Sequence, residues 1–184
     1  VWAPPLTAKG DQSAARRING ELSATSFAPY PGYTGGLTVS GAVTQMVTVG
    51  STQTFDLSFT GLDPACASGA GSAANSCGVH IHSGYTCSDA SLVGGHYFTG
   101  GVTADPWTSV AYTSADGSLT TSLPVETGGD AADVKGRAFV VHGYDGGRIA
   151  CALLTEGPAL SASGFVAYPG YSGNLAVAGT VRVT

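Results

Sequence analysis

Charge is scarce in this sequence. Only 10% of its 184 residues are Asp, Glu, Lys or Arg, and 7 basic against 12 acidic side chains leave a formal net charge of −5 and a pI near 5.1. A chain without a basic stripe cannot neutralise the phosphates that dominate nucleic-acid affinity, so a nucleic-acid role is excluded. Long apolar runs are missing too, and no segment approaches the roughly 20 residues of a membrane span. No long segment carries a helical period. Methionine occurs once and histidine four times, and the four cysteines include no CxxC pair, which argues against a thiolate metal site. Nor does any stretch have the make-up of a secretory signal, so a secreted protein of this sequence is expected in its mature form.

What is abundant points to strands. The 28 glycines, with many Thr, Ser and Val, suit short strands and tight turns, and the length fits one substantial domain with its own core. Strand-like segments run from Leu22 to Phe27, from Leu37 through Val43 to Val47, over Thr54 to Phe59 with alternating apolar and polar residues, over Ser109 to Thr113, and over Leu119 to Leu123 after an Asp116-Gly117 turn. Residues 1–19, with the paired basic Arg16-Arg17, read as a loosely held N-terminal arm.

One block occurs twice. Phe27-Ala28-Pro29-Tyr30-Pro31-Gly32-Tyr33 and the residues after it return as Phe165-Val166-Ala167-Tyr168-Pro169-Gly170-Tyr171, at an offset of 168 − 30 = 138 residues that still holds at Val43 and Val181. A period of that length equals a whole domain. The expected organisation is an arm over 1–19, one domain over 20–157 and a C-terminal β-hairpin over 158–184 that repeats residues 20–46. Such a hairpin offers an edge for self-association or for a neighbouring repeat. The Tyr-Pro-Gly-Tyr turn reads as structural, because Pro-Gly favours a type II turn and the tyrosines can pack across it.

The chemistry gathers at the histidines. In Gly78-Val79-His80-Ile81-His82-Ser83-Gly84, strand geometry sends His80 and His82 to one face and Val79 and Ile81 to the other, so one side can hold a metal and the other a core. His96 lies in Gly95-His96-Tyr97-Phe98, and His142 ends the apolar run Ala138-Phe139-Val140-Val141. A set of imidazoles without thiolate suits either copper or zinc. An even cysteine count and the short Gly/Ala/Ser loop from Cys66 to Cys77 point to a local disulfide and to an oxidising compartment.

Three blocks in order, Gly78-Val79-His80-Ile81-His82, Gly94-Gly95-His96-Tyr97-Phe98 after Cys87, and Arg137 to His142 followed by Gly146-Gly147-Arg148-Ile149-Ala150-Cys151, resemble the copper/zinc superoxide dismutase family over roughly Glu21 to Leu154. The resemblance implies an all-β Greek-key sandwich or flattened barrel. It also implies a Cys87–Cys151 disulfide, copper ligation by His80, His82, His96 and His142, and a role for Arg148 in drawing superoxide to the metal. His96 matches the residue that elsewhere bridges copper and zinc and that carries a proton when freed.

The departures narrow this further. No histidine is left over for the family's zinc site, and only five residues separate His142 from Arg148 where the family has a long charged loop. The chain therefore resembles the copper-only branch, with copper ion as cofactor, no zinc expected, superoxide as substrate and a secreted, extracellular location. Asp105 falls near the place of the family's zinc aspartate and could orient His96 by accepting a hydrogen bond from its second nitrogen; Asp130, Asp133 and Asp145 compete for that role. The reading from another class is a non-catalytic secreted copper-binding or matrix module with the same ligands.

Overall fold

Alternating side chains build the first sheet. In β4 (Thr52–Thr60) Gln53, Phe55, Leu57 and Phe59 are buried while the residues between them are not, and the strand pairs antiparallel with β3 (Ser40–Val49) and β6 (Leu119–Glu126). A register shift interrupts the β3–β4 ladder between Val43 and Gln45. The second sheet has the order β2 (Ala28–Pro29), β8 (Arg148–Leu153), β7 (Ala138–His142), β5 (Val79–Ile81), again antiparallel. The chain passes between the sheets from β2 to β3, from β4 to β5, from β5 to β6 and from β6 to β7. They pack through aromatic rings: Phe139 of β7 meets Phe55 of β4 edge-on at 5.6 Å, and Phe27 meets Phe59 at 5.0 Å. The result is an antiparallel β-sandwich without a closed barrel. These descriptions come from a computed structural model that describes residues 22–157, 160–163, 169–170, 172–174 and 180–183. The expected arm over residues 1–19 lies outside the described residues.

The N-terminal strand is shorter than its apolar run suggests. β1 (Leu22–Ser23) pairs with β9 (Thr155–Glu156), and Ala24 adds one bridge to Val43 before the chain leaves the ladder. Leu37 to Val39 likewise precede β3 rather than open it. In the turn between, the Tyr33 amide donates to the Tyr30 carbonyl at 2.8 Å and Gly32 takes φ 85°, a conformation that glycine adopts without steric cost at the third position of a type II turn. The Asp116-Gly117 turn has both residues at positive φ, as a two-residue hairpin of type I′ requires.

Ser109 to Thr113 is not a strand. Asp105 caps a 3₁₀ turn over Pro106–Ser109, with its carboxylate accepting from the Trp107 amide at 2.9 Å. The Trp107 indole is buried and donates to the Tyr97 carbonyl at 2.6 Å. That anchoring takes the following backbone away from the sheet; only Ala111 makes a bridge, to Gly78.

The short helix α1 (Ala90–Val93) lies in the loop after β5, and α2 (Ala131–Val134) precedes β7. Near the C-terminus β10 (Leu160–Ser163) pairs with β11 (Thr180–Val183), joining Ala162 to Val181. Subtracting 138 from each number gives the Ala24–Val43 bridge, so the repeated block makes the same pair twice.

Candidate metal centre

The second sheet divides its two faces as strand geometry requires. Val79, Ile81, Phe139 and Val141 enter the aromatic core, while Ala138 and Val140 face the other way with Cys151, Val93 and Tyr30. His80 pairs with Val140, so it belongs to this second face. His82 follows β5 and bridges His96, and His142 ends β7 at a register shift against β8. The structure thus brings all four histidines together, each offering one nitrogen within 4.8 Å of the others.

Each of the three buried rings is held by its outer nitrogen. His80 Nε2 sits 3.1 Å from the Val110 carbonyl, His82 Nδ1 3.0 Å from the Gly94 carbonyl, and His142 Nδ1 2.9 Å from the Gly146 carbonyl. A carbonyl only accepts, so these nitrogens carry the protons and the lone pairs lie on the inner ones. Both glycines have positive φ, 76° and 80°, which presents their carbonyls to the rings at little steric cost. The inner atoms, His80 Nδ1, His82 Nε2 and His142 Nε2, are buried with no hydrogen-bond partner. Leaving a buried polar atom unmatched costs about 1–3 kcal/mol, so three convergent ones mark a place for a cation. The donor set therefore fits copper or zinc on its own geometry.

Protonation does not compete at neutral pH. Burial, then the adjacent His142 and His96, pushes His80 down to about 2. Burial also lowers His82 to about 3 and His142 to about 4, against the opposing hydrogen bonds to Gly94 and Gly146. His80, His82 and His142 are each at most 1% exposed, whereas the His96 side chain is 11% exposed and forms the open side of the cluster.

The aspartate on His96 is Asp105: its Oδ2 lies 2.7 Å from His96 Nδ1. The competitors are used elsewhere. Asp130 and Asp133 form the capping box of α2, and Asp145 accepts from the Gly147 amide in the β7–β8 turn. Arg148 Nη2 donates at 2.9 Å to the same Gly94 carbonyl that receives His82 Nδ1. Its guanidinium is one cause of the lowered pKa of His82 and His142, which places a fixed positive charge beside the cluster.

Two disulfides brace the surrounding chain. Cys87–Cys151 lies on this face and ties the loop carrying α1 and Gly94 to β8, while Cys66–Cys77 lies in the aromatic core and closes the loop before β5. Such bonds fit an oxidising compartment. Three carbonyl acceptors (Val110, Gly94, Gly146) and Tyr30 belong to the site without having been legible as site residues. Backbone carbonyls carry no side-chain signature, and Tyr30 lies 118 residues from the arginine it contacts.

No protein-family model matches the chain, and no curated protein sequence matches it. Among solved structures the chain is similar to a mutant form of superoxide dismutase 5 from Candida albicans, with a TM-score of 0.51 and 15% identity over 74% of this chain and 92% of that one. At that identity the likeness is one of fold: the two chains share an antiparallel β-sandwich.

Proposed function

We propose that this chain is a copper-only superoxide dismutase of the copper/zinc superoxide dismutase family, acting in an extracytoplasmic setting. The observation that carries the proposal is the set of four convergent imidazoles, three of them with orphaned inner nitrogens, beside the tethered Arg148 guanidinium. Copper in that set would supply the reversible Cu(II)/Cu(I) change needed to turn two superoxide ions and two protons into oxygen and hydrogen peroxide, a redox change that zinc lacks. The protein's own groups do the rest. The Val110, Gly94 and Gly146 carbonyls and Asp105 hold the rings in one tautomer, and the partly exposed edge of His96 gives access from solvent. Arg148 attracts the anionic substrate against a chain whose net charge of −5 repels it at a distance.

That repulsion is what favours the rival reading, a secreted module that stores copper without turnover. Superoxide decay separates the two. The copper-loaded chain is expected to accelerate decay, and Arg148→Ala is expected to lower the rate constant by about tenfold or more at matched copper content, since steering changes association rates by factors of about 10 to 1,000. Decay no faster than with the metal-free chain would leave the storage reading.

We infer further that the chain comprises one dismutase unit over 20–157 followed by the opening hairpin of a second. The equal register of Ala24–Val43 and Ala162–Val181 supports this. Amides of Leu160–Ser163 and Thr180–Val183 are expected to exchange slowly with solvent deuterium, as paired strands do. Exchange over both segments at the rate of an unstructured peptide would sink the idea.

A further inference from the structure

We propose that Tyr30 is a positioning residue for Arg148, so that the N-terminal turn takes over part of the work of the long charged loop this chain lacks. The inference rests on the reading of Arg148 as the anion-facing group of the site. The Tyr30 hydroxyl accepts from Arg148 Nη1 at 2.6 Å and donates to the Ala90 carbonyl at 3.3 Å. Its ring centroid lies 5.3 Å from the guanidinium carbon. Arg148 Nη2 is meanwhile bound to Gly94. The guanidinium is therefore gripped at both terminal nitrogens, from two separate segments, while its planar fork retains three of its five N–H groups beyond these bonds.

The grip is built into the fold. Tyr30 directly follows β2, whose Pro29 pairs with Ala150, and the Tyr30 amide donates to the Ile149 carbonyl at 3.0 Å, one residue from Arg148. The tyrosine is buried, packed with Val93, Ala138, Val140 and Cys151. Ala90 and Gly94, the other two anchors, lie in the loop that Cys87–Cys151 fastens to the strand bearing Arg148. Tyr30, Arg148 and that loop thus form one connected unit. Around it the turn residues Tyr30 to Gly35, with Asp145 and Arg148, wall a concave surface. Tyr33 serves the turn instead, because its hydroxyl accepts from the Leu37 amide and closes the loop on itself. A guanidinium already set in one orientation need not be ordered when an anion arrives, which is how preorganisation raises affinity without a new contact.

The test uses Tyr30→Phe, which keeps the ring and removes the hydroxyl. Its first measurement needs neither copper nor turnover: the rate of phenylglyoxal modification of Arg148, mapped by peptide mass, with Arg137 as the internal standard because its guanidinium stacks instead on Tyr85 and Tyr97. Tyr30→Phe is expected to speed Arg148 labelling several-fold and leave Arg137 unchanged. Equal labelling of Arg148 in wild type and variant overturns the proposal. The second measurement is azide binding to the copper(II)-loaded chain, followed by its visible absorption. Loss of one charge-assisted hydrogen bond should weaken azide about fivefold to tenfold in Tyr30→Phe, and the same substitution in an Arg148→Ala background should weaken it no further. Additive losses in that cycle would show that Tyr30 acts without Arg148 and would overturn the proposal as well. Faster Arg148 labelling with unchanged superoxide decay in both Tyr30→Phe and Arg148→Ala would uphold the positioning and instead remove the steering role from Arg148. Tyr168→Phe, the same turn position in the C-terminal echo, is expected to change none of these readings; loosening of Arg148 by Tyr168→Phe but not by Tyr30→Phe would assign the contact to the other copy and overturn the proposal.

Discussion

His142→Ala is expected to weaken copper binding by more than about 100-fold and to take superoxide decay to the level of the metal-free chain. Losing an outer partner of a metal ligand already costs about 10- to 100-fold, and here the ligand itself goes. His142 Nε2 is one of the three buried inner nitrogens, and its ring is held in that orientation by the Gly146 carbonyl on the far side. The fold should suffer much less than the site. In the metal-free chain the inner nitrogen is an unmatched buried acceptor costing about 1–3 kcal/mol, a penalty that alanine removes while forfeiting the packing of the ring. Melting temperatures of the metal-free proteins should therefore lie close together. The rise on adding copper should shrink by the equivalent of about 2.7 kcal/mol for each hundredfold of lost affinity. The four histidines form the only cluster of three or more such donors among the described residues, so titration of the wild type with equal copper and zinc is expected to end at one copper per chain and no zinc beside it. Wild-type copper affinity in His142→Ala, or a second metal in the wild type, would break the four-imidazole copper-only reading.

Asp105→Asn is expected to weaken copper by about 10- to 100-fold through His96 alone. The carboxylate uses both oxygens, Oδ2 on His96 Nδ1 at 2.7 Å and Oδ1 on the Trp107 amide at 2.9 Å. Asparagine keeps one oxygen, and it remains a good cap for the 3₁₀ turn. What it then presents to His96 is an amide donor. A ring facing a donor accepts at Nδ1 and carries its proton on Nε2, the nitrogen that should offer a lone pair to the metal. The other three rings keep their carbonyl partners, so binding should weaken without vanishing, unlike the result for His142→Ala. A competition titration with a copper chelator measures this directly. Affinity within about twofold of wild type would deny Asp105 its orienting role and leave it as a cap.

Some of this was legible along the chain because it depends on short-range geometry. The period of two in a strand puts His80 and His82 on one face and Val79 and Ile81 on the other whatever the rest of the fold does. The alternation of Thr54 to Phe59, the Asp116-Gly117 turn and the Pro31-Gly32 turn are local in the same sense, and the structure places a strand and two tight turns there. Local pattern also misled where a distant contact outweighed it. Ser109 to Thr113 has strand-like composition, yet burial of Trp107 and the bond from its indole to Tyr97 turn this backbone into a wall of the site, where the Val110 carbonyl serves His80.

The sequence by itself determined the all-β class, the shared face of His80 and His82, the short Cys66 to Cys77 loop and the 138-residue echo, because each rests on residue type, spacing or order, whereas the four-histidine set and the Cys87–Cys151 pair were what the family resemblance implied. Tertiary structure decided what depends on distances across the chain. It selected Asp105 from four aspartates by placing one carboxylate within 2.7 Å of His96 while capping and turn bonds engage the others. It chose which nitrogen of each buried imidazole faces inward, since that follows from the position of a carbonyl and not from the identity of the residue bearing it. It also carried Tyr30 across 118 residues to Arg148, turning a tyrosine that reads as part of a turn into a partner of the site. Spacing along a chain sets direction within one strand, but a hydrogen bond needs two groups within about 3 Å, and only the packing of β2 on β8 and of the disulfide-tied loop on both supplies that.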